Sequence, residues 1–284
     1  MHLEAAPRAL PHAPYAPYAP YAPHAPHAPH APLALRVERL PVVCTPASGR
    51  TTPAWDAALA LIEREVPFTR RTVRPGEWVQ RAGDAFSVLR IVNAGALKIV
   101  SSNSDGVEQV TGMQFKGGWI GFDGLASGHY ACDATATDVS QIWTLDYLTL
   151  LAAAARVPAL MHTLHVAISG QMEHDRAWRL AICTLPADAR VALLLCDWAA
   201  SLLARSLRVD PFILQLTRTE LASYLGMTQE TLSRAFRRLR LRGLIRFADL
   251  GRQAVSIPCR RALTDFVAGR RDADAPLLLT RRSR

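Results

Sequence analysis

The stretch Leu216-Thr-Arg-Thr-Glu-Leu-Ala-Ser-Tyr-Leu-Gly-Met-Thr-Gln-Glu-Thr-Leu-Ser-Arg-Ala-Phe-Arg-Arg-Leu239 predicts two short helices joined by a tight turn. Thr219 is predicted to cap the first helix and Thr228 the second, and Gly226 between them supplies the turn. Apolar residues recur at helical spacing and supply a small core, namely Leu221, Ala222, Leu225, Met227, Leu232, Phe236 and Leu239. The stretch therefore predicts a helix-turn-helix.

The polar face of the second helix carries side chains suited to reading DNA. Arginine donates hydrogen bonds to guanine, glutamate accepts one from cytosine, and further arginines neutralise phosphates. We predict double-stranded DNA as the partner, with these DNA-binding residues: Thr217, Arg218, Thr228, Gln229, Glu230, Ser233, Arg234, Arg237 and Arg238. The alternative is an ordinary amphipathic helix with a solvated arginine face.

The charge distribution favours the DNA-binding interpretation. The chain has 284 residues and a formal net charge of +9, and residues 210–284 hold 15 Arg against 7 Asp plus Glu. A basic C-terminal module is typical of a phosphate-binding surface. The sequence has no apolar run long enough to span a bilayer and no P-loop, dinucleotide fingerprint or zinc-protease motif. We expect a cytoplasmic protein that is not an enzyme and has no membrane partner.

The residue composition of the rest of the chain changes from one segment to the next. An Ala-, Pro-, His- and Tyr-rich tail gives way to short β-type runs separated by Gly or Asp, and then to apolar residues at helical spacing. After Gly243, the runs Leu244–Phe247 and Ala254–Ile257 around a turn at Asp249–Gly251 predict a two-stranded wing. We predict a disordered tail (1–50), a β-roll sensor domain (55–157), a long helix (158–184), a winged helix-turn-helix (187–268) and a basic tail (269–284).

This order of elements resembles the CRP/FNR family of bacterial regulators over about residues 55–268. Two blocks carry the resemblance to the FNR branch: Gly106-Val-Glu-Gln-Val-Thr-Gly-Met-Gln-Phe-Lys-Gly-Gly-Trp-Ile-Gly-Phe-Asp-Gly-Leu-Ala-Ser-Gly-His129 and Thr217-Arg-Thr-Glu-Leu-Ala-Ser-Tyr-Leu-Gly-Met-Thr-Gln-Glu-Thr-Leu-Ser-Arg234. The resemblance implies an α+β fold with an N-terminal antiparallel β-roll of the cyclic-nucleotide-binding type, a long dimerisation helix and a C-terminal winged helix-turn-helix. It also implies a sequence-specific transcription regulator.

Carried over by position, the resemblance implies roles for particular residues. Glu230, Ser233 and Arg234 would read a TTGAT-like half-site of the FNR type rather than the TGTGA of cyclic-AMP receptors. The long helix would form a homodimer interface through Leu160, Leu164, Ile168, Met172 and Asp175, and the paired Asp175 carboxylates would oppose association until their charge is offset. The loop Ser101–Glu108 matches a region that contacts RNA polymerase in the family, and its alternative is a plain hairpin turn.

The residues that bind the family's known effectors are missing. FNR proteins hold a [4Fe–4S] cluster with three N-terminal cysteines and one cysteine in the roll, whereas this chain has Cys44 alone before the roll and Trp143 at the fourth position. Cyclic-AMP receptors hold the cyclic phosphate with an arginine, and the matching segments Gly118–Asp123 and Tyr130–Thr135 contain none. Both cofactors are disfavoured, and the effector is unknown.

Three weaker sensing hypotheses stay open beside their ordinary alternatives. Cys44 or Cys132 is a redox thiol or an inert small apolar residue. A haem ligand would come from His129, His162, His165 or His174, and the His-rich tail would bind metal, although scattered histidines and a solvated tail need no such role. The competing function is a ligand- or partner-binding β-roll protein without specific DNA reading, which the intact Glu230, Ser233 and Arg234 pattern disfavours.

Overall fold

The computed structural model describes residues 53–204, 210–247 and 254–269. The predicted tail 1–50, the basic tail 269–284 apart from Gly269, and the wing turn Asp249–Gly251 lie outside the described residues. The helices are α1 (Pro53–Glu65), α2 (Tyr147–Arg156), α3 (Pro158–Thr184), α4 (Ala187–Ala204), α5 (Arg218–Tyr224), α6 (Gln229–Leu241) and α7 (Arg260–Val267). The strands are β1 (Thr69–Val73), β2 (Trp78–Gln80), β3 (Val88–Ala94), β4 (Ala96–Ser102), β5 (Glu108–Phe115), β6 (Trp119–Ile120), β7 (Asp133–Ala136), β8 (Ser140–Asp146), β9 (Phe212–Ile213), β10 (Arg246–Phe247) and β11 (Ala254–Ser256).

The N-terminal half is a roll of two four-stranded antiparallel sheets, which confirms the predicted fold class. The strand order is β1-β8-β3-β6 in the first sheet and β2-β7-β4-β5 in the second. Side chains alternate along β3, so Leu89 and Ile91 face a layer of helices while Val92 faces the second sheet. The edge strands of the second sheet are β2 and β5, whose outer backbone groups need partners from outside the sheet.

Helices α1, α2 and α3 cover the outer face of the first sheet. Helix α3 has Pro158 in its first turn and ends at Thr184, as the residue spacing predicts. Its residues Leu160 and Leu164 are 1% and 5% exposed and pack in the same cluster as Ile62 of α1. Both side chains fill the core of their own chain, which corrects their assignment to a dimer interface.

Helix α2 is an element that the sequence analysis did not identify. It begins after Asp146, whose carboxylate accepts the Thr149 N–H at 2.8 Å. Its apolar side contributes Leu150, Ala153 and Ala154 to the cluster beneath α1. The short, alanine-rich sequence of α2 has no strong periodicity of apolar residues. Its helical conformation therefore depends on the burial of this apolar side.

The C-terminal module is built around α4. Val191, Leu195 and Ala199 of α4 are fully buried, in one cluster with residues of α6 and α7. The predicted wing strands β10 and β11 pair in an antiparallel arrangement, and β9 adds a third strand that the sequence analysis did not identify. No helix in the described part of the chain is both long and apolar enough to cross a membrane.

The hairpin between β3 and β4 allows a direct test of the roll's packing. Gly95 has a φ of 91°, and a Cβ atom placed there would overlap the hydroxyl of Ser140, a fully buried side chain that accepts the Ala96 N–H. We predict that Gly95→Ala lowers the free energy of unfolding by about 2 kcal/mol or more, from strain and overlap together. Gly76 has a similar φ but open space around the new atom. Gly76→Ala should therefore lower the free energy of unfolding by only about 1 kcal/mol. Urea unfolding measures both, and equal losses would contradict the overlap.

Candidate nucleic-acid interface

Helix α5 is fixed at its start by a reciprocal cap between Thr217 and Glu220. The Thr217 hydroxyl accepts the Glu220 N–H at 3.2 Å, and Glu220 Oε2 accepts the Thr217 N–H at 2.8 Å. This capping box pairs backbone groups that a helix start otherwise leaves unpaired. The assignment of Thr219 as the cap was therefore wrong. Thr219 lies inside α5, where its hydroxyl accepts a hydrogen bond from the Gln229 amide at 2.8 Å.

The turn and the start of α6 form as the sequence predicts. Gly226 has a φ of 61°, and the Met227 N–H donates to the Ala222 carbonyl at 3.0 Å. Thr228 caps α6 by accepting the Thr231 N–H at 3.2 Å. The buried residues of α6 are Leu232, Ala235, Phe236 and Leu239. Because this side is packed, α6 presents its opposite face to solvent.

The exposed face of α6 brings Glu230, Ser233 and Arg234 together. Glu230 and Arg234 lie one turn apart and form an ion pair of 2.5 Å, with side chains 73% and 67% exposed. An ion pair this exposed contributes little to stability. Both side chains can exchange it for hydrogen bonds to base edges in a major groove. Their assignment as base-contacting residues stays a prediction.

Two of the predicted DNA-binding arginines have partners within the module. Arg238 Nε donates to Asp188 Oδ2 at 2.6 Å and its Nη2 donates to Oδ1, and these bonds raise the pKa of Arg238. The Asp188 side chain is only 14% exposed, so the pair ties α6 to the first turn of α4. The Arg218 guanidinium lies 4.2 Å from the centroid of the Phe236 ring. Arg237 also lies on the exposed face of α6.

In the roll, the Asp123 carboxylate accepts hydrogen bonds from the segment that matches the cyclic-nucleotide site. Its Oδ2 accepts the N–H groups of Ala131 and Cys132 at 2.7 and 3.1 Å, and the buried Gln80 amide lies 3.4 Å from both carboxylate oxygens. Arg90 of β3 reaches Gln80 Oε1 at 3.4 Å, a neighbour that the motif did not reveal. The negative charge of Asp123 disfavours a cyclic phosphate at this segment, and Arg90 is a nearby positive charge that acts in the opposite direction.

The redox-thiol hypothesis for Cys132 finds no support in its surroundings. Burial and the neighbouring Asp123, to which the thiol donates at 3.2 Å, raise the pKa of Cys132 far above its ordinary value. The thiolate that reacts with oxidants therefore does not form near neutral pH. Cys44 lies outside the described residues.

The surroundings of Trp143 do not fit a metal ligand, and the four candidate histidines lie in different surroundings. Trp143 is buried and stacks on Phe68 with ring centroids 4.4 Å apart, where the resemblance would require a thiolate. Burial lowers the pKa of His174 to about 4, whereas His162 and His165 are exposed on α3 and His129 lies in a surface loop. Within residues 53–204, 210–247 and 254–269, no three His, Cys, Asp or Glu side chains gather as metal ligands.

Comparison with known proteins agrees with this architecture. Residues 70–156 match the model of the cyclic nucleotide-binding domain, and residues 189–266 match the model of the Crp-like helix-turn-helix domain. Among solved structures, FixK2 from Bradyrhizobium japonicum has the same fold, with a TM-score of 0.61 and 24% identity over 70% of this chain and 97% of that chain. Both halves of the fold therefore recur together in known proteins.

The similarity to curated proteins extends across both halves. The transcriptional activator protein anr of Pseudomonas aeruginosa is 30% identical over 206 residues, which is 72% of this chain and 82% of the relative. The fumarate and nitrate reduction regulatory protein of Escherichia coli is 28% identical over 185 residues, or 65% of this chain and 72% of the relative. These relatives are regulators, in agreement with the lack of a catalytic motif in the sequence. The chain belongs to the CRP/FNR family of DNA-binding transcription regulators.

Proposed function

We propose that the protein acts in the cytoplasm as a homodimer that binds FNR-type palindromic sites and regulates transcription from them. The observation that carries the proposal is the exposed triad of Glu230, Ser233 and Arg234 on a helix whose other side is buried. In this proposal the triad reads a TTGAT-like half-site, and Arg237 neutralises a phosphate. Arg238, Arg218 and Gln229 instead hold the module together, through Asp188, Phe236 and Thr219.

The exposed face of α3 supports the homodimer. A groove of about 630 Å³ runs along this face, lined among others by Ile168, Met172 and Leu180. Met172 and Leu180 are each 48% exposed, which is high for apolar side chains on a long helix. Pairing of two α3 helices would cover this face and place two recognition helices about 34 Å apart, one turn of DNA.

Asp175 has little support as a residue of the proposed dimer interface. It does not line the groove, and its charge acts on the pKa of the buried Tyr224. Burial raises the pKa of Asp175, and the nearby Arg179 works in the opposite direction. If paired Asp175 carboxylates oppose association, Asp175→Ala should strengthen the dimer. Unchanged association would remove Asp175 from the interface.

The β4–β5 hairpin is the proposed contact with RNA polymerase. The Asn103 carboxamide accepts the Asp105 and Val107 N–H groups at 3.0 and 2.9 Å, which gives the exposed tip a defined turn. An exposed loop with a defined conformation supports a role in docking a partner protein. The same geometry also serves a plain hairpin turn.

Three further predictions test the proposed function, and the first of them concerns sequence reading. The wild-type protein should bind a palindrome of two TTGAT-type half-sites about a thousandfold more tightly than a scrambled duplex at the same salt concentration. Arg234→Ala should lose about 1 to 3 kcal/mol on the palindrome and little on the scrambled duplex, because it removes a base contact. Gel-shift titration measures both. Equal wild-type affinity for the two duplexes would favour a β-roll protein that binds another ligand or partner.

The second prediction separates a phosphate contact from a structural ion pair. Arg237→Ala should weaken binding to both duplexes and reduce the slope of log K against log salt by about one unit. Arg238→Ala should leave that slope near the wild-type value, because Asp188 already neutralises the Arg238 charge. A salt titration of both variants checks this, and a reduced slope in Arg238→Ala would make Arg238 a phosphate contact.

The third prediction concerns the dimer. Met172→Glu should weaken self-association about tenfold or more, because it removes apolar contact area and places a charge in the proposed interface. Leu148→Glu on α2 is the matched control, since Leu148 is 74% exposed away from the groove. Sedimentation velocity over a concentration series measures both variants. Equal association in the two would exclude this face of α3 as the interface.

A further inference from the structure

The edge of the β-roll is bonded to the helix-turn-helix through Ser223 of α5. Strand β5 has no neighbouring strand on its outer side. Its Val110 N–H donates instead to the Ser223 hydroxyl at 3.0 Å, and the Gln109 amide donates to the Ser223 carbonyl at 2.7 Å. An unpaired edge donor is unfavourable when it is removed from water. Ser223 therefore completes the sheet edge from within the DNA-reading module.

A second contact joins Lys98 of β4 to Glu220 of α5. The amine and the carboxylate form a close ion pair, and their side chains are only 24% and 23% exposed. Glu220 is the acidic member of the capping box that starts α5. Burial acts to raise the pKa of Glu220, but the bonds from Lys98 and Thr217 outweigh it and hold the pKa below its usual value. A lysine of the roll thus secures the first turn of α5.

Aromatic packing closes the space between the roll and the C-terminal module. Phe115 of β5 meets Trp198 of α4 edge-on at 5.3 Å, and Trp178 of α3 stacks on Tyr224 of α5 at 4.5 Å. A cavity beside Phe115, Trp198 and Tyr224 has a volume of about 20 Å³, which leaves space for little more than one water molecule. The roll and the module therefore meet as a packed interface.

The position of α6 depends on that of α5. The two helices are joined by the tight turn at Gly226 and by the Gln229–Thr219 hydrogen bond, and Leu221, Leu225 and Leu232 lie in one buried cluster. A displacement of α5 would therefore carry α6 with it. Contacts that fix α5 against the roll also fix the direction in which α6 points.

We propose that Lys98, Gln109 and Ser223 form an interdomain latch, through which the β-roll positions the recognition helix for DNA. Lys98 acts through Glu220 and is a positioning residue, since it lies on β4 rather than on α6. In the structure with the latch closed, Glu230 and Arg234 face solvent, and in this proposal the closed latch is the DNA-binding arrangement. Opening it lowers DNA affinity. The latch rests on the DNA-binding function proposed above.

The chain offers a matched pair of variants, because Lys98 and Lys116 are its only lysines. Both Lys98→Met and Lys116→Met remove one positive charge and keep an apolar stem, and Lys116 lies in the turn after β5. Lys98→Met should weaken binding to the palindrome about threefold to tenfold, the range of one typical intramolecular hydrogen bond. Its salt slope should match that of the wild type, because Lys98 does not touch phosphate. Lys116→Met should change affinity less than about twofold.

A double-mutant cycle tests whether Lys98 acts through Glu220. Glu220→Gln removes the charge but keeps a side chain that serves in a capping box. The Lys98→Met/Glu220→Gln double variant should bind DNA no more weakly than the weaker single variant. Fully additive losses, a reduced salt slope in Lys98→Met, or a rise in its DNA affinity would each overturn the proposal.

Hydrogen exchange observes the latch without DNA. The Val110 amide should exchange faster in Lys98→Met and in Ser223→Ala than in the wild type and Lys116→Met, while the amides of β3 stay protected and report an intact roll. Unchanged exchange at Val110, or faster exchange with unchanged DNA affinity, would overturn the latch. Lack of palindrome preference in the wild type would instead refute the proposed function, and the exchange measurement would still decide whether the latch exists.

Discussion

Burial of the apolar side of α6 is the interaction on which the DNA-reading half of the molecule depends. Leu232, Phe236 and Leu239 can leave water only by packing against α4 and α5, and all three are at most 3% exposed. The other side of the same helix is so polar that it must stay in water. The orientation of Glu230, Ser233 and Arg234 follows from this division. The Arg238–Asp188 pair then ties the helix to α4.

The second sheet and the C-terminal module depend on each other for a similar reason. An edge strand exposes backbone donors, and the side of α5 that packs on β5 would be left in water if the module stood alone. Packing α5 on β5 satisfies both needs, since Ser223 receives the Val110 N–H while Phe115 and Trp198 share one apolar cluster. The same contacts that stabilise the fold therefore link the roll to the helix that precedes the recognition helix.

The roll has the family's architecture with different chemistry at the family's ligand positions. Asp123 binds the N–H donors of Ala131 and Cys132 by itself, and Trp143 fills with an aromatic ring the position where a thiolate would lie. Both features contribute contacts within the roll.

The sequence by itself determined the features that are local along the chain. Thr228 and Gly226 mark the turn, the spacing of apolar residues marks α3 and α6, and the order of segments identifies the family. Such signals depend on caps, turns and periodicity within about 20 residues, where the chain's own geometry decides the outcome. The cap of α5 was the exception, because Thr217 and Thr219 are equally suitable by type.

Only the tertiary structure decided which distant residues meet. Leu160 and Leu164 have the same periodic spacing as Ile168 and Met172, yet the roll covers the first pair and leaves Met172 exposed. Lys98 and Glu220 lie 122 positions apart, and Arg238 and Asp188 lie 50 apart. Periodicity states that a helix has an apolar face but not what covers it. Which side chains form the interior, and which stay exposed, depended on how the sheets and helices pack.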